Sequence, residues 1–251
     1  MSAGRTIVVK SPLPCVSGLR VVMSVQGKGD PLLLINGLSR PLQSWDPFTS
    51  QVRGRTVVSF DAPGVGGSPT PIRPLLISEL ATIALAVLDA AGLAEADVLG
   101  YSHGGAVAQE LAHAAPERVS GLVLAATSCG VGATPGNGPD ILYHLSHSLD
   151  GKPWPFSDPL GLLWQSLAVS NWSSIPYLGS IEAPTLVVCG SRDSVVPPPN
   201  SRVLARRIPN ASLVMLPGRG HDLQRGDSAT ELARVVQRFT PARRAADRLA
   251  L

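Results

Sequence analysis

Short apolar runs alternate along the chain with longer stretches in which apolar residues recur every three or four positions. PLLLIN (31–36), TVVSF (56–60), ADVLG (96–100), GLVLAAT (121–127), TLVVCG (185–190) and SLVMLP (212–217) are mostly continuously apolar. Strands buried on both faces read this way. RTIVV (5–9) and LRVVMSV (19–25) add an opening pair of strands. Helical periodicity marks residues 77–92, 104–119, 200–209 and 228–240. Strand–helix alternation predicts an α/β architecture, a mostly parallel central sheet with helices on both faces.

Residues 129–180 break the rhythm. They are rich in Gly, Pro and Ser, contain no good strand, and hold six of the eleven aromatics: Tyr143, Trp154, Phe156, Trp164, Trp172 and Tyr177. The chain therefore divides into a core, 1–128 and 181–251, and a small insertion, 129–180. An insertion between core strands lies over the carboxyl edge of a parallel sheet, where ligands bind, and reads as a lid or cap. Trp154, Phe156, Trp164 and Trp172 are its candidate substrate contacts. The plainer alternative is that these rings only fill a subdomain core.

Composition narrows the field. The chain has 251 residues, enough to bury a large core, and a hydrophobic fraction of 44% against 16% charged, too apolar for disorder. The net charge is +3 from 21 basic and 18 acidic residues, mostly scattered, which does not point to nucleic acid. Cys15, Cys129 and Cys189 show neither disulfide nor zinc spacing, and the N-terminus carries no secretory pattern. No apolar run approaches the roughly 20 residues of a membrane span. A cytoplasmic protein is expected. The PARRAADRLAL tail reads as a frayed helix end, the alternative being an interaction module.

Residues 100–104 read Gly-Tyr-Ser-His-Gly, between the apolar run ADVLG and the helical stretch GGAVAQELAHAA. Strand–turn–helix is the setting of a nucleophile elbow, in which flanking glycines admit a tight turn with serine at its tip. A bare G-x-S-x-G is weak, and a simple N-cap serine is the alternative for Ser102. A serine hydroxyl needs a base. His221, after the last strand in LPGRGH, falls at the correct edge of the sheet; His113 lies within a helix, His103 is adjacent to the serine, and His144 and His147 lie in the insertion. Asp193, just after TLVVCG, is placed to orient that imidazole, whereas Asp222 is adjacent to it and badly placed. The order is Ser102, Asp193, His221.

An oxyanion needs preorganised donors. The backbone N–H of His103 and that of Leu38, in the INGLSR turn, are assigned this role. Gly64-Val65-Gly66 and Gly130-Val131-Gly132 imitate dinucleotide fingerprints but meet Pro69 and Pro135 at the sixth position. No P-loop or HExxH spacing occurs, so no metal or other cofactor is implied.

With these parts in view, the chain resembles the α/β-hydrolase family, and within it the intracellular poly(3-hydroxyalkanoate) depolymerases. FDAPGVGGSPTP (60–71), GYSHGGAVAQELAHAAPERV (100–119), LVLAATS (122–128), NWSSIPYLGSIEAPTLVV (171–188) and RIPNASLVMLPGRGH (207–221) carry the likeness. The resemblance implies Ser102, Asp193 and His221 as the triad and Leu38 and His103 as oxyanion donors. It also has departures: those enzymes have a larger insertion and typically tryptophan where His103 stands. Both fall around the acyl pocket.

The expectation is a serine ester hydrolase acting on a small or polymeric aliphatic ester, including poly- or oligo(3-hydroxyalkanoate). One alternative keeps the triad and replaces water by peroxide, as in cofactor-free haloperoxidases. Another is a receptor that binds ligand in a hydrolase-like pocket.

Overall fold

The computed structural model describes residues 5–11, 13–14, 16–146 and 158–249. Each apolar run singled out above is a strand: β1 (Arg5–Val8), β2 (Arg20–Gln26), β3 (Asp30–Ile35), β4 (Arg55–Phe60), β5 (Ala96–Tyr101), β6 (Val119–Ala125), β7 (Thr185–Gly190) and β8 (Ala211–Leu216). They form one sheet in the order β1-β2-β4-β3-β5-β6-β7-β8. β2 runs antiparallel to β1 and β4, and every other pairing is parallel.

Successive strand residues point to opposite faces, so a sheet covered twice needs apolar residues at every position. Leu33, Ile35, Val98, Leu122, Leu124 and Val187 pack beneath α2 (Ile77–Ala90), α3 (His103–Ala114) and α6 (Pro198–Arg207). Their neighbours Leu32, Leu34, Leu99, Val123, Leu186 and Val188 pack on the other side, against α1 (Asp46–Thr49) and α7 (Gly226–Leu249). The mostly parallel α/β sheet with helices on both faces is the architecture read from the sequence.

The differences have local causes. The helix predicted over 104–119 stops at Ala114, and a 3-10 turn, Pro116–Arg118, follows. Proline lacks the N–H that the helix needs, and the residue before it is pushed away from helical angles: Ala115 has φ −144°. Between β6 and β7 lie two helices that the Gly/Pro/Ser content obscured, α4 (Gly138–Ser146) and α5 (Pro159–Ser170). The start of α5 is a conventional one. The Asp158 side chain accepts from the Leu160 N–H, and Pro159 occupies the first turn. α7 continues through the tail to Leu249. Among the described residues no helix is long and apolar enough to cross a membrane.

One buried ion pair fixes the amino edge of the central strands. Arg55 of β4 meets Asp97 of β5 across β3, Nη2 to Oδ2 at 2.7 Å, and also donates to the Asp30 and Pro31 carbonyls at 2.9 and 2.8 Å. Both residues are buried. Removing one partner strands a charge, whereas removing both does not. Arg55→Met should therefore lower unfolding free energy by about 3–5 kcal/mol. Adding Asp97→Leu should recover part of that loss. Urea denaturation of the two variants checks both; a double variant no more stable than the single one would contradict the account.

Candidate active site

The chain leaves β3 toward β4 on one side, then returns to form β5 on the other. Connections that diverge in this way open a crevice at the carboxyl edge of the sheet. Ile35 of β3 pairs with Gly100 of β5, so the loop after β3 and the turn after β5 meet in that crevice.

Ser102 is at the tip of the β5–α3 turn, with φ 52° and ψ −117°. A non-glycine residue holds such angles only when its surroundings enforce them. Here the enforcement is close packing. A Cβ at Gly100 would collide with the Gly104 carbonyl oxygen and with Ala108 Cβ, and one at Gly104 with the carbonyl oxygens of Ile35 and Asn36. The Ser102 N–H donates to the Ala125 carbonyl at 2.9 Å, and Thr127 Oγ1 donates to the Ser102 carbonyl at 2.7 Å.

Asp193 lies on the loop after β7 and His221 on the loop after β8. Gly190, at the end of β7, lets these loops touch, since a Cβ there would strike the Arg219 and Gly220 carbonyl oxygens. The Arg192 N–H donates to the Arg219 carbonyl at 2.8 Å. Asp193 Oδ1 accepts the Val195 and Val196 amides at 3.0 and 2.8 Å. Its Oδ2 lies 2.9 Å from His221 Nδ1. A carboxylate only accepts, so Nδ1 carries the proton and Nε2 of the neutral ring is free to accept. Nε2 lies 3.1 Å from Ser102 Oγ. The Tyr101 hydroxyl donates to the His221 carbonyl at 3.1 Å and holds the loop from beneath. Three residues scattered over 120 positions thus form one hydrogen-bonded line, with Asp193 and His221 buried.

Beside Ser102 is a cavity of about 340 Å³ lined by Leu38, Ala106, Ile141, Val169, Trp172 and Val196, among others. The backbone N–H groups of Leu38 and His103 have no intramolecular partner among the described residues, whereas their neighbours are engaged. The Gly37 N–H donates to Asn36 Oδ1 and the Ser39 N–H to Gln165 Oε1, both at 2.9 Å. The Asn36 side chain is itself gripped: Nδ2 donates to the Pro41 carbonyl at 2.7 Å, and Oδ1 accepts from Gln224 at 2.9 Å. Asp61 takes the Leu42 N–H at 2.7 Å and the Gly67 N–H at 2.9 Å; burial raises its carboxyl's pKa against these two donors.

Of the four aromatic residues proposed from the sequence, Trp172 lines the cavity. Its indole donates to Glu110 and to the Tyr177 hydroxyl. Trp164 faces away, toward the loop after β4, and donates to the Pro71 carbonyl at 3.1 Å. Trp154 and Phe156 lie outside the described residues. The contacts that sequence reasoning missed are polar. Arg40, buried, pairs with Asp222 at 3.0 Å and donates to His144 Nε2 at 2.8 Å. The His144 ring stands edge-on to His221, centroids 4.6 Å apart. Burial, reinforced by the adjacent His221 and Arg40, pushes His144 down to about 2. No local motif marks such a residue; its role follows from where α4 folds. Among the described residues no cluster of His, Cys, Asp or Glu is arranged to hold a metal.

The profile of a family described as alpha/beta hydrolase fold matches residues 30–162, and that of TAP-like proteins matches residues 164–240. A poly(3-hydroxyalkanoate) depolymerase of Ectopseudomonas oleovorans is 37% identical over 213 residues, covering 73% of this chain and 75% of that one. A putative non-heme bromoperoxidase of Mycobacterium tuberculosis is 26% identical over 78% of this chain and 88% of its own. The solved structure of a hydrolase from Pseudomonas aeruginosa superimposes with TM-score 0.79 at 26% identity, covering 94% and 98% of the two chains.

His103 yields a pH prediction. Its imidazole is buried, Nε2 has no partner, and burial lowers its pKa to about 4, against the raising effect of a hydrogen bond to the Gln165 backbone. The unfolded chain takes up that proton near pH 6.5, while the folded one does so only near 4. The unfolded state therefore binds more protons in between, and stability falls as pH falls through that window, by about 1.4 kcal/mol per unit. His103→Gln should remove this contribution, on the order of 3 kcal/mol between pH 7 and 4. Urea midpoints at several pH values check it; equal pH slopes in wild type and variant would refute it.

Proposed function

The chain belongs to the alpha/beta hydrolase family, and we propose that within it this protein hydrolyses aliphatic carboxylic esters through an acyl-enzyme on Ser102. The observation that carries the reading is the hydrogen-bonded line Ser102–His221–Asp193, at 3.1 and 2.9 Å, opening on an apolar cavity.

His221 Nε2 takes the proton from Ser102 as Oγ attacks the ester carbonyl. The resulting oxyanion accepts hydrogen bonds from the Leu38 and His103 amides, each contributing about 3–4 kcal/mol of transition-state stabilisation. His221 returns the proton to the leaving alkoxide, then removes one from water, which attacks the acyl-enzyme; passing that proton to Ser102 Oγ releases the acid and restores the enzyme. Asp193 keeps Nδ1 protonated and stabilises the imidazolium throughout. Residues 129–180 act as the lid, with α4 and α5 supplying the cavity wall opposite the sheet. The apolar lining selects an aliphatic acyl group, and the depolymerase relative makes oligo- and poly(3-hydroxyalkanoate) the first substrates to try. Cys129 and Cys189 are buried free thiols, in keeping with a reducing cytoplasmic compartment.

The bromoperoxidase relative favours a second reading. Hydrogen peroxide replaces water as acceptor for the same acyl-enzyme and releases a peracid. The difference resides in what enters the cavity, not in the three aligned groups.

Ser102→Ala should lower hydrolysis of p-nitrophenyl acyl esters by at least about 10⁴-fold without loss of fold. An acyl series from C2 to C12, run beside a polyhydroxyalkanoate suspension, reads the substrate preference. Bromination of monochlorodimedone in acetate, bromide and peroxide reads perhydrolysis. Full ester turnover in the alanine variant would overturn the mechanism.

A further inference from the structure

We propose that Gln165 is a positioning residue for the oxyanion hole, through which the insertion sets the geometry of the Leu38 amide. Gln165 is buried to 4% exposure on α5, a helix whose Leu160, Leu163 and Leu167 are exposed. A polar side chain driven inward from such a helix has a polar task. Its Oε1 accepts the Ser39 N–H at 2.9 Å, and its Nε2 reaches the Pro63 carbonyl at 3.4 Å. One residue thus ties the loop bearing the Leu38 amide to the loop after β4.

Ser39 is also one of the described non-glycine residues with positive φ, at 55°. Such a conformation persists only where its neighbours hold it. Gly37 N–H is fixed by Asn36 and Ser39 N–H by Gln165, and Leu38 between them lines the cavity. Without the Gln165 acceptor, Ser39 is free to relax, and the Leu38 amide turns with it.

The role rests on the ester-hydrolase reading. Its test is kinetic. Gln165→Met keeps the volume and removes the acceptor. It should lower kcat ten- to hundred-fold with KM within about threefold, because a displaced oxyanion donor is missed in the transition state alone. Affinity for a trifluoromethyl ketone, which forms a tetrahedral adduct on Ser102, should fall by the same factor. Gln165→Glu, which restores an acceptor for Ser39, should recover at least tenfold of a hundredfold loss. Gln165→Asn, too short to reach Ser39, should behave like the methionine variant, and it carries the test should that variant fail to fold. Wild-type kcat in Gln165→Met or Gln165→Asn, or a glutamate variant as slow as they are, would overturn the positioning role. Activity surviving Ser102→Ala would instead overturn the reading beneath it.

Discussion

The site is organised by one close approach. The first turn of α3 lies so near the end of β3 that nothing larger than hydrogen fits at Gly104, against the carbonyl oxygens of Ile35 and Asn36. This contact sets the angle at which the chain leaves β5, and hence the strained backbone at Ser102. It also carries the loop after β3 to the side of the turn. The parallel register, Ile35 opposite Gly100, brings the two strand ends level. A slip of one residue would turn every strand residue to the other face, and the doubly buried apolar pattern of β3 and β5 would not prevent it. The Arg55–Asp97 pair at the opposite edge supplies the specificity that hydrophobicity lacks, since only one register joins those two charges.

Around Ser102 the polar groups are held by burial and by fixed partners. Asp193 is oriented by two backbone amides before it meets His221, so the carboxylate needs no rearrangement when the imidazole gains charge. Arg40 adds a permanent cation nearby, balanced by Asp222 and capped by the uncharged His144. With His144 kept neutral, no second positive charge stands beside the His221 ring, which the proposed mechanism requires to become positive.

Strong, repeated physical signals made the core legible from sequence. Eight apolar runs became eight strands, and the glycines flanking Ser102 announced a turn that admits no side chain. Asp193 and His221 were readable because a parallel sheet gathers the ends of its strands at one edge, so position after a strand nearly specifies position in space. The insertion gave no comparable signal. Its helices are short and its Gly, Pro and Ser content resembles a loop, so α4 and α5 were missed despite the Asp158-Pro159 start of α5. Trp164 shows the limit of aromatic content as a guide, because its indole found the Pro71 carbonyl on another side of the helix. Arg40, His144 and Gln165 were invisible for a different reason. Their partners are from about 80 to 180 residues away along the chain, and no spacing rule connects them.

The proposed chemistry and the proposed selectivity therefore draw on separate parts of the chain, but only in part. The proposed nucleophile, base and acid stand on core loops packed against the sheet, where rigidity follows from burial. One side of the cavity comes from α4 and α5, and a wall built from short helices changes shape more readily than a sheet edge. If selectivity were carried by the wall alone, substitutions in it would alter which substrate fits and leave the rate of the fitting substrate untouched. Gln165 and His144 argue against so clean a division, since each comes from the insertion and grips a core group beside the reacting atoms: Ser39 in one case, Arg40 and His221 in the other. A displacement of α5 large enough to admit a bulkier substrate also loosens the Ser39 amide. On the proposed reading, pocket size and oxyanion geometry are mechanically joined, so a wider cavity comes with a less ordered hole unless Gln165 keeps its place.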